Sequence, residues 1–321
     1  MDFLYDWVVS GLGSIEGIAQ YRTPMLNAYF LFAAFLGQEE FFLIAPPAIY
    51  WLYNKQVGRR LVYLLMLGAW TNEALKNLFR LPRPPLEIAL VEEVGYGLPS
   101  GHAQLGVLLW GYAGWTLRRT VRWLPALVLW VIASISFSRL YLGVHYPADV
   151  LAGLLIGAVF LSASLWAEPQ LAEWYSHLTS GQVFSLAALL SLLALALMPS
   201  GGRAWPVEIA STEAGLIFGV LVGLDVEKRR VRFAVAGSVA QKIGRYVLGL
   251  FLLVLVWAGL RALFGLIDGG HLVESGLRII RYALIGLTVT WWAPALFVRL
   301  GLARTEYSFS HPPIIPGPHL P

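Results

Sequence analysis

Cysteine is absent and charge is scarce: none of the 321 residues is Cys, and only 13% are Asp, Glu, Lys or Arg. Without Cys there is no disulfide framework, no thiol nucleophile and no thiolate metal site. An average soluble domain is about one quarter charged. The shortage therefore excludes an ordinary soluble enzyme, a disordered chain and a nucleic-acid binder. What fills the chain is apolar: 58% hydrophobic and 13% aromatic residues, with a mean hydropathy of +0.66. The apolar runs are long, whereas a transmembrane β-barrel alternates over short segments. The expected class is all-α, a polytopic membrane protein. A formal charge of +4 suggests nucleic acid until the basic residues are located. Most lie in short clusters between apolar runs, which marks topology instead.

Nine segments approach the roughly 20 apolar residues that a bilayer requires. They are residues 26–53, 59–80, 102–117, 122–143, 149–166, 182–199, 209–224, 244–265 and 279–299. The second is the least apolar, because it carries Asn72, Glu73, Lys76, Asn77 and Arg80. Ahead of them, residues 1–22 hold Asp2, Asp6 and Glu16, unlike the basic start of a secretory signal. Phe3, Leu4, Trp7, Val8, Leu12, Ile15, Ile18 and Ala19 recur there at helical spacing, which predicts one amphipathic helix in the membrane interface, ended by Thr23–Pro24. The expected layout is an interfacial helix over 1–25, a six-span core over 26–200, an accessory three-span region over 201–303 and a disordered Pro-rich tail over 304–321. Residues 168–180 read as an interfacial connector. Fourteen of the 23 Lys and Arg fall in one set of alternate loops, around Lys55, Arg118 with Arg119, Lys228 to Arg245, and Arg299. The positive-inside rule puts that set in the cytoplasm.

Three motifs collect at the opposite face. In the first, Lys76, Arg80 and Arg83 have i, i+4, i+7 spacing, which would align three cations on one helix face before Pro82, Pro84 and Pro85 end it. Cations without an acid on their face want an anion. The second is Pro99-Ser100-Gly101-His102, where Ser100 is positioned to cap a helix whose first N–H groups are free to meet an anion. The third runs Ser138-Arg139, His145, Asp149. Pro147 suits a first helical turn, from which Asp149 reaches back to one His145 nitrogen and leaves the other available. Together these residues make an oxyanion site for phosphate, with two histidines to share the roles of nucleophile and acid–base. Residue chemistry alone leaves open which histidine attacks.

Lys76-x6-Arg83-Pro84, Pro99-Ser100-Gly101-His102 and Ser138-Arg139-x5-His145-x3-Asp149 resemble the three signature motifs of the type 2 phosphatidic acid phosphatase superfamily, in order and in spacing. The resemblance spans about residues 26–166 and implies metal-independent dephosphorylation of a lipid phosphate through a phosphohistidine. Carried over by position, it makes His145 the nucleophile, Asp149 its orienting acid and His102 the proton donor to the leaving alkoxide. Lys76, Arg83, Ser100, Gly101 and Arg139 would hold the phosphoryl oxygens. Gly37-Gln38-Glu39-Glu40-Phe41-Phe42, Tyr50-Trp51, Gly58-Arg59-Arg60 and Tyr96-Gly97-Leu98-Pro99 look like the sphingosine-1-phosphate phosphatase branch and its bacterial relatives. Phosphatidate, a long-chain-base phosphate and a polyprenyl pyrophosphate all stay open as substrates.

Glu39 and Glu40 lie within a span, either as a structural pair with Arg80 or an Asn of the second span, or as groups that meet the substrate headgroup or handle protons; with Arg80 they are the possible accessory residues of the site. Gly153 and Gly157, and Gly215, Gly219 and Gly223, form small-residue faces for close helix packing or a homodimer seam. His177, His271, His311 and His319 lack ligand spacing and read as surface residues. No cofactor and no metal are expected, since the site loops hold no carboxylates beyond Glu87, Glu92 and Glu93. The expected partners are the bilayer and a lipid phosphate within it. A phosphotransferase using the same histidine is the first alternative, and a lipid transporter the second.

Overall fold

The computed structural model describes residues 2–118 and 122–306. Arg119, His311, His319 and the tail from 307 onward lie outside the described residues, as does the side chain of Glu39. Among the described residues there are fourteen α-helices and no β-strand. Each expected span is helical. α3 (Pro24–Phe35) and α4 (Glu39–Leu52) cover the first and α5 (Lys55–Phe79) the second. α6 (Gly101–Gly106) and α7 (Tyr112–Leu117), joined by a π turn, make the third. α8 (Leu124–Tyr141), α9 (Pro147–Ser176), α10 (Ser180–Ala196), α11 (Glu208–Val226) and α12 (Val239–Phe264) follow. α13 (Gly270–Leu287) and α14 (Ala293–Arg299) form the last. Among the described residues five stretches, against the nine expected, are long and apolar enough to cross a membrane, or six if the bent pair α3–α4 is one span. The chain is a multi-pass integral membrane protein.

Four local expectations need correction. The N-terminal segment is two helices, α1 (Asp2–Val9) and α2 (Leu12–Ala19). They part at Gly11, where an added Cβ would stand 2.6 Å from Pro147 Cδ. Their inner face is also protein-bound: Val8 and Ile15 are buried with Leu81, Leu98, Tyr146 and Ala148, while Tyr5 and Trp7 stay exposed. The first span breaks between α3 and α4. The connector 168–180 is helical through Ser176, despite Pro169, with Glu168 ion-paired to Arg60 of α5 and the apolar stripe continued by Leu171 and Trp174. Finally, α5 ends at Phe79, so Arg83 is not on its face. Arg80 adopts a left-handed φ of 53° that closes the helix, and the following Pro82 prevents its resumption.

The chain folds as two compact units, Met1–Pro46 with Gln56–Leu178 and Leu193–Glu213, and Pro47–Lys55 with Thr179–Leu192 and Ala214–Pro321. In the first, a buried amide network locks α5 to α6. Asn72 Nδ2 donates to Gln104 Oε1 at 2.8 Å and to Pro99 O at 3.3 Å, and Gln104 Nε2 donates to Gly68 O at 3.1 Å. Asn72 weakens α5 as an apolar span, yet its amide is paired with that of Gln104, as buried amides must be. Gly153 and Gly157 let α9 lie directly on the α6 backbone at Ser100 and Gln104. In the second unit, Gly215 and Gly219 of α11 face Ile279 and Ala283 of α13, and Gly223 faces Thr290. Both glycine faces are thus occupied within the chain. Arg245, fully buried, donates to the carbonyls of Trp51, Val235 and Ala236.

Candidate active site

Four helix ends of the first unit, those of α5, α6, α8 and α9, and the loops between them carry the site residues. α8 carries Arg139 in its last turn, where a cation suits the helix dipole. The chain then reverses at Gly143, whose φ of +76° and approach to Ile88 O, 2.7 Å from where a Cβ would stand, exclude a side chain. Tyr146 caps α9, Pro147 occupies its first position and Asp149 its third. Asp149 Oδ2 accepts from Tyr146 N at 2.9 Å and lies 3.3 Å from His145 Nδ1. On the other side of the ring, Arg83 Nη1 donates to His145 Nε2 at 3.0 Å. A guanidinium has no acceptor. Nε2 must therefore present its lone pair, and the proton sits on Nδ1, donated to Asp149. The same Nη1 donates to Val144 O at 3.0 Å.

His145 is 1% exposed. Burial first, then the charges of Arg83, Arg139, Lys76 and the His102 ring, hold it well below its ordinary 6.5. It is neutral at pH 7, as a nitrogen nucleophile has to be. Burial also brings Arg83 down to about 10, against the opposing pull of Asp149 and Glu73. That guanidinium keeps its charge.

Ser100 sits at the N-cap of α6 but its side chain makes no capping bond; its N–H donates to Asp149 O at 2.9 Å. The expectation that Ser100 caps is corrected: it holds the N-cap position, but its hydroxyl bonds no N–H of the first turn. Ser100 Oγ, His102 Nε2 and Arg139 Nε are all buried with no hydrogen-bond partner in the protein. Such groups cost roughly 1–3 kcal/mol each unless a ligand meets them. Gly101 opens α6, and its added Cβ would stand 3.1 Å from Asn72 Oδ1, tighter than ordinary contact. Lys76 is half-buried and lines a cleft of about 300 Å³ with Glu73, Val94, Gly95, Tyr96 and Arg203. In it Arg203 pairs with Glu73 at 2.9 Å, and Tyr96 Oη donates to Gly201 O at 2.5 Å.

The expected accessory residues are not drawn in. Arg80 is exposed and donates to Asn77 O. Glu40 is exposed and has no ion-pair partner among the described residues. The residue that sequence reasoning missed is Glu93. Its Oε2 is 2.8 Å from Arg83 Nη1 and 3.9 Å from His145 Nε2, and its Oε1 is bonded to Arg139 Nη2. Nothing local distinguishes it from its exposed neighbour Glu92. Among the described residues no three His, Asp or Glu side chains gather as a metal-binding set.

A family model described as PAP2 superfamily matches residues 58–173, which contain all three motifs, and one described as PAP2 superfamily phosphatase, transmembrane extension, matches residues 211–305. Both models are of the PAP2 superfamily, and between them they match about two thirds of the chain. Among its relatives, a probable sphingosine-1-phosphate phosphatase of Dictyostelium discoideum is 31% identical over 65% of this chain and 55% of its own. A dihydrosphingosine 1-phosphate phosphatase of Schizosaccharomyces pombe is 30% identical over 54% of this chain and 45% of its own. Sphingosine-1-phosphate phosphatase 1 of Rattus norvegicus is 24% identical over 89% of this chain and 75% of its own. The chain spans about half the length of the first two curated relatives. A crystal structure of a PAP2-type phosphatidylglycerolphosphate phosphatase from Bacillus subtilis matches 50% of this chain and 85% of that one at 21% identity, with a TM-score of 0.45.

Proposed function

We propose that this protein hydrolyses a lipid phosphate monoester of the long-chain-base class through a phosphohistidine on His145, without a metal. The observation that carries the reading is the pair of opposed bonds on His145. Asp149 accepts the hydrogen bond from Nδ1–H and Arg83 donates to the Nε2 lone pair, which leaves a neutral, aimed nucleophile among cations. In the first step the Nε2–P bond forms as the bond from phosphorus to the lipid oxygen breaks. His102 is the proton donor to the departing alkoxide. Lys76, Arg83, Arg139, the Ser100 hydroxyl and the Gly101 N–H hold the phosphoryl oxygens. Asp149 balances the positive charge that the ring gains. In the second step His102 takes a proton from water, the new O–P bond forms, the P–N bond breaks and inorganic phosphate leaves.

The substrate class rests on the names of the relatives and on the cleft beside Lys76. A long-chain-base phosphate carries an ammonium close to its phosphate. Glu73 is the carboxylate lining that cleft, and Arg203 shares its charge. Residues 26–200 are read as the catalytic core, 201–303 as an accessory region, and the site as facing away from the cytoplasm, opposite the basic loops. The test is phosphate release by the purified full chain in detergent, with excess chelator present, from a long-chain-base phosphate, phosphatidate and a polyprenyl pyrophosphate. The long-chain-base phosphate should turn over fastest. Loss of all activity in chelator, restored by Mg²⁺, would overturn the metal-free mechanism, and preference for either other lipid would overturn the class.

A further inference from the structure

Glu93 stands in the middle of the phosphate site, on a loop that none of the three motifs includes. Its carboxylate spans two guanidiniums, one oxygen on Arg83 at 2.8 Å and the other on Arg139. The Arg83-bound oxygen is 3.9 Å from His145 Nε2, the nitrogen that must reach phosphorus. A carboxylate in a two-arginine fork makes the same charge-assisted bonds that phosphoryl oxygens make. An incoming phosphate therefore needs the donors that Glu93 occupies.

We infer that Glu93 is a specificity-determining residue: its carboxylate holds the anion position of the resting site, and a dianionic phosphomonoester displaces it where a monoanionic phosphodiester does not. This rests on the reading of Arg83 and Arg139 as phosphate-binding groups. The physical basis is a competition of charges. A phosphomonoester carries between −1.5 and −2 at pH 7, against −1 for the carboxylate. It gains more from the two guanidiniums than the carboxylate loses. A phosphodiester carries −1, gains no more than Glu93 does, and competes with a group already tethered to the site. Such a barrier matters in a bilayer, whose surface is crowded with diester headgroups and where selection needs an element that works against the wrong ligand. The carboxylate has somewhere to go: its side chain is 22% exposed, and Gly95, with a φ of +88°, lies two residues further along the loop.

The experiment uses the full chain in detergent, with inorganic phosphate and dimethyl phosphate as probes. Their inhibition constants are measured against hydrolysis of a long-chain-base phosphate, and their binding by calorimetry, for wild type, Glu93→Gln, Glu93→Ala and the exposed control Glu92→Gln. Wild type should bind phosphate and ignore dimethyl phosphate. Both Glu93 variants should bind phosphate about tenfold or more tighter, the scale of a removed charge-assisted competitor, with a lowered KM, and should now be inhibited by dimethyl phosphate. Glu92→Gln should match wild type. Unchanged or weaker phosphate binding in a folded Glu93→Gln or Glu93→Ala protein overturns the inference, as does continued rejection of dimethyl phosphate. If wild type itself binds no phosphate and hydrolyses no lipid phosphate, the proposed function fails with it. An active, phosphate-binding wild type with indifferent Glu93 variants sinks the inference alone.

Discussion

Asp149 offers a prediction that separates orientation from charge. Its Oδ2 accepts both the Tyr146 N–H at 2.9 Å and the His145 Nδ1 proton at 3.3 Å, while Oδ1 is buried with no hydrogen-bond partner in the protein. An Asn here can place its carbonyl oxygen where Oδ2 stands and its amide where Oδ1 stands. Both bonds then survive, and the Nδ1-protonated tautomer with them. What disappears is the negative charge that supports the ring once phosphorus is attached. A hydrogen bond to a charged group exceeds a neutral one by about 1–1.5 kcal/mol, or roughly tenfold in rate. Asp149→Ala instead removes the acceptor, frees the ring and leaves the Tyr146 N–H unpaired. In a Ser-His-Asp triad the wrong histidine tautomer alone costs about 10⁴-fold with the geometry intact, and Asp149→Ala, which leaves the His145 tautomer unset, should lose on that scale. The assay is kcat/KM for phosphate release by folded, purified variants. Asp149→Asn should retain roughly a tenth of wild-type activity and Asp149→Ala about one part in 10³–10⁴. If Asn falls as low as Ala, the shared-oxygen argument is wrong, and the tautomer or the charge dominates.

Two further expectations concern pH and topology. Because burial and neighbouring cations depress His145 in the folded state, the unfolded chain binds its proton first. That contribution to stability is complete above about 6.5 and falls as pH drops toward the folded value. The His145 ring nitrogens should therefore not titrate by NMR between pH 6 and 8, and the unfolding temperature should decline from pH 7 to 5; titration near 6.5 would contradict the burial argument. On the proposed topology, single cysteines at exposed Glu92 and at Arg229 should label from opposite sides of intact cells. Labelling of position 92 only after permeabilisation would reverse the orientation.

The helices were legible because long apolar runs leave a bilayer chain few alternatives, and backbone groups there must be satisfied within the segment. The motif residues were legible because Pro, Gly and charge at a span's edge are rare for packing reasons alone. What escaped depends on distant partners. The break at Gly37 lies where a Cβ would stand 2.8 Å from Ile135, and the break at Gly11 where Pro147 packs; neither neighbour is close in sequence. Arg83 was expected on the α5 face by spacing, but the left-handed Arg80 puts it on a loop, from which it reaches His145 across 62 positions. Asn72 looked like a blemish in a span and is the donor that joins α5 to α6. Glu93 could not be told from Glu92, because only the folded loop decides which of the two faces Arg83 and Arg139.

The measurement that bears most directly on the account is the site of phosphorylation. Wild type, His145→Ala and His102→Ala are mixed with a ³²P-labelled aryl phosphate, quenched within milliseconds and assayed for acid-labile, base-stable phosphate on the protein. An aryl phosphate leaves as a weakly basic phenolate and needs little help from a general acid. His102→Ala should therefore still form the adduct, and accumulate it, since the base that activates water is gone. His145→Ala should form none. An adduct in His145→Ala together with none in His102→Ala would mean that the two histidines have exchanged roles and that the assignment built on Arg83, Nε2 and Asp149 is wrong.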